Sequence, residues 1–225
     1  MSPTARRLGL LTLGQSPRED VTPTFKAILG GSVGILERGA LDGLDREGLL
    51  QVTAKDGESP LETRLGSGAA IGLSRAALMP HLIAAGTELS GVCDRVVLLC
   101  SGEFPALAAA CPRLIQPIRI LRGAISAVAE HRLLGLIGPA SDLAAAPAQW
   151  RPYAPNLLCA AASPYDGLAT VMAAGRELAR QGVDLIFLDD MGFSEVHRLA
   201  VAGETRLPVV CATTLTARML CELVG

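Results

Sequence analysis

Two stretches of the chain carry an apolar run straight into a reactive side chain. Residues 96–104 read VVLLCSGEF and residues 182–193 read GVDLIFLDDMGF. Aligned, they set Cys100 opposite Asp190, each at the carboxyl end of an apolar run and just before a polar or glycine turn. A thiolate is a nucleophile and a base, and a carboxylate is an acid, a base or a fixed negative charge. A thiol on one side of a small molecule and a carboxylate on the other could move a proton to or from carbon. Ser101, Gly102 and Glu103 follow the thiol, and Met191 and Gly192 follow the carboxylate, so these residues would line the same turns. Gln15 and Ser16 follow a third apolar run, 8–13, and suit a carboxylate ligand. Plainer roles are available to most of them: a small core residue for Cys100, a helix cap for Asp190 or Ser16, a first-turn carboxylate for Glu103.

Such residues need strand ends to hold them. The runs LGLLTL (8–13), VVLLC (96–100), LLGLIG (133–138), LIFLD (185–189) and PVVCA (208–212) lack strict alternation, as parallel strands buried on both faces do. Between them RAALMPHLIAAG, RGAISAVAEHRL, DGLATVMAAGRELARQG and TLTARMLCELV have helical character, and Gly182 is placed to end the third. Alternating strands and helices predict a parallel α/β fold. Three echoes recur in the same order: RRLGLL with HRLLGL, GVCDRVVLLCSGEF with GVDLIFLDDMGF, and PRLIQP with TRLPVV. They predict two pseudo-symmetric lobes, each a mostly parallel sheet flanked by helices, with a cleft between the lobes. The boundaries expected are 1–130 and 131–225, the C-terminal helix being free to pack back on the first lobe. The first copy is longer because of a glycine-rich stretch at about 33–72, which reads as a β-turn-β excursion. In open α/β sheets, ligands bind at the carboxyl ends of strands, where helix N-termini offer N–H groups to anions.

Composition narrows the function classes. Twenty Lys and Arg against 22 Asp and Glu leave a net charge near -2, which does not favour nucleic acid or an anionic membrane. The N-terminal apolar run is too short for a signal peptide core or a membrane span, so a cytoplasmic protein with reduced thiols is expected. The six cysteines form no C-x-x-C pair and have no histidine at metal spacing, so no zinc site is expected. Cys93, Cys111, Cys159, Cys211 and Cys221 read as structural, and Arg18 as a solvated helix residue with Pro17 in the first turn. Arg64, in the excursion, is a candidate anion clamp. His81, His131 and His197 lie in helical contexts, His197 keeping a weak acid/base candidacy beside Asp190.

LTLGQSPREDV (11–21), LETRL (61–65), LLCSGEFP (98–105), ASPYD (162–166) and LDDMGFS (188–194) together resemble the AroM protein family, nearly end to end. That family is similar to the aspartate/glutamate racemase superfamily, which includes amino-acid racemases, hydantoin racemase, maleate isomerase and arylmalonate decarboxylase. The resemblance implies an active site between two lobes, no cofactor, and a substrate loop at Ser163, Pro164 and Tyr165. It also implies a second cysteine where this chain has Asp190. Two-base racemisation needs opposed groups of matched basicity, and an ordinary Asp lies roughly 4.6 units below an ordinary Cys. The expectation is therefore a cofactor-independent racemase- or isomerase-like enzyme acting on a small carboxylate through Cys100, with symmetric racemisation disfavoured by Asp190. The alternatives are a non-catalytic carboxylate-binding protein, a decarboxylase and, third, a protein-interaction role. A homodimer is left open.

Overall fold

The computed structural model describes residues 6–224. Contacts within the chain divide it into two compact units: 1–22, 29–116 and 223–225 in the first, and 23–28 with 117–222 in the second. The division falls after Gln116, earlier than the 130/131 boundary suggested by the echoes, and the C-terminal helix counts with the second unit as far as Glu222.

The first unit is built on a four-stranded parallel sheet. Its strands are β1 (Arg6–Thr12), β2 (Val33–Gly39), β5 (Arg95–Leu98) and β6 (Leu114–Ile115), in the order β2-β1-β5-β6. Helices α2 (Arg46–Val52), α3 (Arg75–Val92) and α4 (Pro105–Ala110) belong to it, with an antiparallel hairpin of β3 (Leu61–Arg64) and β4 (Ala70–Leu73). The β-turn-β excursion is thus shorter than expected: it is the hairpin at 61–73, because residues 33–39 pair with β1 as a parallel edge strand of the main sheet. Leu8, Leu11, Val96, Val97 and Leu98 are fully buried, as the non-alternating runs predict.

The second unit repeats the plan. Strands β7 (Leu134–Gly138), β8 (Leu157–Ala161), β9 (Leu185–Leu188) and β10 (Val209–Cys211) are parallel in the order β10-β9-β7-β8, the same topology read from the other edge. Helices α5 (Pro117–Ala129), α6 (Ala146–Trp150), α7 (Leu168–Arg180), α8 (Glu195–Thr205) and α9 (Ala212–Val224) belong to it, with most of α1 (Thr22–Leu29). Ile118, Leu121, Ile125 and Ala129 form the buried stripe of α5, at helical spacing. Gly182 has φ +80°, the left-handed conformation that ends α7.

The equivalence extends to single hydrogen bonds. Leu99 N–H donates to Leu11 O at 2.7 Å, and Asp189 N–H donates to Ile137 O at 2.8 Å. Asp94 accepts from Arg7 N–H at 2.8 Å where Asp184 accepts from Leu133 N–H at 2.7 Å. Gly9 and Gly135 stand at the same register position, opposite Val96 and Ile186. A Cβ on Gly9 would lie 3.2 Å from Leu89 and 3.3 Å from Cys93 Sγ, and one on Gly135 would lie 3.0 Å from Leu178 and 3.2 Å from Val183. Each glycine lets one helix settle on its sheet. Among the described residues, no helix is long and apolar enough to cross a membrane.

Gly135→Val should cost about 1–3 kcal/mol by overpacking the α7–β7 contact. Urea denaturation would show a lower midpoint, and an unchanged midpoint would contradict the close approach.

Candidate active site

Register fixes which residues correspond. Leu11 pairs with Leu98 in the first sheet and Ile137 with Leu188 in the second, so the chain two residues beyond each strand reaches Cys100 and Asp190. Both side chains accept a hydrogen bond from the glycine two residues on. Gly102 N–H points at Cys100 Sγ at 3.3 Å, and Gly192 N–H at Asp190 Oδ1 at 2.5 Å. The two turns are the same turn, with a thiol in one and a carboxylate in the other, and both side chains are half-buried.

Asp189 takes the position of Leu99, which is buried, and faces the protein interior. Its carboxylate accepts from the indole N–H of Trp150 at 2.5 Å, and Trp150 packs edge-on against Phe187 at 4.9 Å. Of the two consecutive aspartates, Asp189 is therefore tied into the core and Asp190 holds the strand-end position. Nothing in the sequence near residue 189 pointed to Trp150, which lies 39 residues away.

In the first unit the loop after β1 is bound on both sides. Gln15 Oε1 accepts from Gly66 N–H at 2.8 Å, and Gln15 Nε2 lies 3.5 Å from Leu41 O. Ser16 gives its hydroxyl to Asp42 Oδ2 at 2.6 Å and its N–H to Asp42 Oδ1 at 2.8 Å, while Gly39 N–H also reaches Asp42 at 2.8 Å. Asp42, which sequence reading missed, closes this loop by accepting from three donors. Ser16 does not cap a helix, because it lies in a loop and α1 begins only at Thr22. Arg18 is not a solvated helix residue either. It is 8% exposed, lies before α1, pairs with Asp20 in a fork at 2.8 Å and donates to Thr12 Oγ1 at 3.0 Å. The arginine is needed to satisfy the buried end of β1. Arg64 donates to Gly68 O at 2.7 Å, within its own hairpin. Glu103 is exposed, Ser101 half-buried, and Met191 buried with its carbonyl held by Thr213 at 2.8 Å.

The loop after β8 lies beside Asp190. Ser163 N–H donates to Asp166 at 2.8 Å, and Ser163 Oγ accepts from Tyr165 N–H at 3.3 Å. A Cβ on Gly192 would stand 2.8 Å from Pro164 Cγ, 2.8 Å from Tyr165 Oη and 2.9 Å from Asp190 Oδ1. A side chain there would have to push these groups aside, and its absence lets the phenol and the carboxylate meet in one place. Ser163, Tyr165, Gly192 and Asp190 thus form one cluster, while Gly102, Cys100 and Glu103 form its counterpart in the first unit.

His197 braces the Tyr165 loop. Its Nδ1 accepts from Ser194 N–H at 3.1 Å, and the imidazole is also bonded to the backbone of Pro164. Proline has no N–H, so the imidazole donates to the Pro164 carbonyl through Nε2, which fixes the neutral tautomer. Burial pushes its pKa below the ordinary value. The capping box at the start of α8 uses the N–H groups of Ser194 and His197. Among the described residues, no group of three or more His, Cys, Asp or Glu is placed to hold a metal ion.

A model of the AroM protein family matches residues 8–224. The chain belongs to that family. No curated protein matches it. Among solved structures, unliganded arylmalonate decarboxylase is similar with a TM-score of 0.60 and 12% identity, over 98% of this chain and 93% of the other. Glutamate racemase from Francisella tularensis, solved with D-glutamate, is similar with a TM-score of 0.60 and 14% identity, over 98% and 81%. A maleate cis-trans isomerase mutant from Nocardia farcinica, carrying a covalently bound succinylcysteine intermediate, gives 0.60 and 16%, over 97% and 92%. At these identities the likeness establishes the fold.

Iodoacetamide should label Cys100 faster than the other five thiols. Cys93, Cys111 and Cys211 are buried, burial raises the pKa of Cys159, and the Cys221 thiol is directed at the carbonyls of Ala217 and Ile28. Peptide mapping over a time course decides the order, and faster labelling of Cys159 or Cys221 would contradict the site. His197 predicts a pH effect on stability. Its folded pKa lies below its unfolded one, so its contribution is complete above about pH 6.5 and is lost as pH falls through the folded value. Melting temperature should drop across that window in the native protein and drop less in His197→Gln.

Proposed function

We propose that the protein is a cofactor-independent enzyme of the racemase and isomerase class that acts on a small carboxylate through Cys100. One observation carries this reading: Cys100 and Asp190 occupy the same register position on equivalent strands, and each accepts a hydrogen bond from the glycine two residues on. Cys100 is the base or nucleophile, and Asp190 is an acid or an electrostatic partner. Ser101 and Gly102 follow the thiol in its turn, and Ser163, Tyr165 and Gly192 cluster with the carboxylate in the other. The similar solved structures support the class, because they comprise a racemase, an isomerase and a decarboxylase on one fold.

Unlike side chains at like positions favour a one-way reaction. A thiol and a carboxylate differ by several units in ordinary basicity, so they do not exchange proton-donor and proton-acceptor roles as two thiols would. Isomerisation or decarboxylation, in which one thiol supplies or removes the proton, fits this asymmetry better than racemisation. A binding role without chemistry is the second reading. It is favoured by the Gly192 N–H···Asp190 bond, which gives Asp190 a turn-closing function of its own.

Deuterium exchange at carbon separates these readings. Proton NMR in D2O on a panel of small 2-amino and 2-hydroxy acids, both enantiomers of each, should show exchange of one enantiomer by the native protein. Asp190→Cys should extend exchange to both enantiomers, and Cys100→Ala should abolish it. Rapid exchange of both enantiomers by the native protein would overturn the role given to Asp190, and exchange surviving in Cys100→Ala would overturn the role given to the thiol.

A further inference from the structure

We propose that Arg75 binds the carboxylate of the ligand at the Cys100 turn, which deepens the reading above and rests on its choice of Cys100. Arg75 opens α3, and its guanidinium carbon lies 4.4 Å from the centre of the Phe104 ring. Its Nη1 donates to the carbonyl of Glu103 at 3.0 Å. Phe104 is itself fixed, being fully buried with its N–H held by Gln116 Oε1 at 2.7 Å. The cation–π contact and the carbonyl bond together hold the guanidinium against the 100–104 turn, so little side-chain freedom is left to lose on binding.

Nη2, on the other edge of the guanidinium, lies near the thiol turn. Arg75 Nη2 lies 3.7 Å from the point a Cβ of Gly102 would occupy, and Cys100 Sγ lies 3.3 Å from the same point. The two atoms are therefore no more than 7.0 Å apart, with the edge of the Phe104 ring, 3.1 Å from the same point, beside them. Arg75 is an exposed residue and belongs to none of the ion pairs given among the described residues. A guanidinium presents five N–H donors in a plane that matches a carboxylate, and the Glu103 bond is made from Nη1 alone.

The matching point in the second unit is occupied differently. Around Gly192 the same space is faced by Pro164 and the Tyr165 hydroxyl. The cation therefore belongs to the thiol turn. A carboxylate held by Arg75 lies beside the Cys100 turn.

Iodoacetate and iodoacetamide test this without any substrate, because the two reagents differ chiefly in carrying a carboxylate or its neutral amide. The rate at Cys100 is measured by mass spectrometry with each reagent in the native protein, Arg75→Gln and Arg75→Lys, and expressed as the ratio of acetate to amide. The ratio should fall roughly five- to tenfold in Arg75→Gln, as expected for loss of a charged hydrogen bond. It should be intermediate in Arg75→Lys, and in the native protein it should decline with added salt. An unchanged ratio in Arg75→Gln overturns the proposal. Equal slowing of both reagents also overturns it, because Arg75 would then only support the turn, and so does a Cys100 that neither reagent reaches. Absence of carbon exchange on every acid of the NMR panel, with the reagent ratio still dependent on Arg75, would remove the catalytic reading and leave the anion site standing.

Discussion

The bond from Leu99 N–H to Leu11 O, with its counterpart from Asp189 N–H to Ile137 O, fixes where each of the two candidate turns begins. Each bond lies just past the end of a buried strand and sets the residue after it at the start of a turn. Slipping either pairing by one residue would exchange the inward and outward side chains. Leu99 would then hold the turn position in place of Cys100, and the thiol would enter the core. The apolar strands, the clipping aspartates 94 and 184, and the glycines that seat α3 and α7 all act to forbid that slip. Burial on both faces of a parallel sheet makes the register expensive to change and so makes the placement of two reactive residues reliable.

The two units share a frame and differ in what they mount on it. The first turn joins a thiol to a stacked arginine and a buried phenylalanine. The second joins a carboxylate to a tyrosine hydroxyl and a histidine-braced loop. The difference between the two turns is thus a product of side chains alone, since their backbone hydrogen bonds coincide.

Much of this was legible in the sequence, for reasons that differ by element. The runs at 8–13, 96–100, 133–138 and 185–189 are uninterrupted and apolar because they are central strands, and a central strand has no solvent face to disguise it. Edge strands were harder. β2 has Glu37 and Arg38 on it and half-exposed positions, so it read as part of an excursion. β6 has two residues and leaves almost no pattern. Helix α8 buries only Val201 among its side chains, so its apolar stripe is too thin to see. Cys100 and Asp190 were found because the echoes align local segments. Asp42, Trp150 and Arg75 were not, because the partner that gives each its place, Ser16, Asp189 and Glu103 respectively, lies 25 or more residues away and is met only through tertiary packing. Arg18 was misread because a buried guanidinium is legible only through the Asp20 and Thr12 that accept its donors.

The hairpin of β3 and β4 has no partner in the second unit, and the manner of its attachment is informative. Gly14 approaches the Arg64 carbonyl so closely that a Cβ would lie 2.2 Å from the oxygen, and Gln15 N–H donates to the same carbonyl at 3.2 Å. Gly66 N–H and the backbone exchange of Ala54 with Gly72 and Ser74 with Val52 complete the anchor. Every hairpin atom in these contacts is main chain. Leu73 is fully buried and Leu61, Leu65 and Ile71 pack against the core of the first unit, so these four side chains fasten the hairpin as well. The polar side chains between them are spared that task, and the outer surface of the hairpin can change by substitution while its seat against the β1 loop is kept.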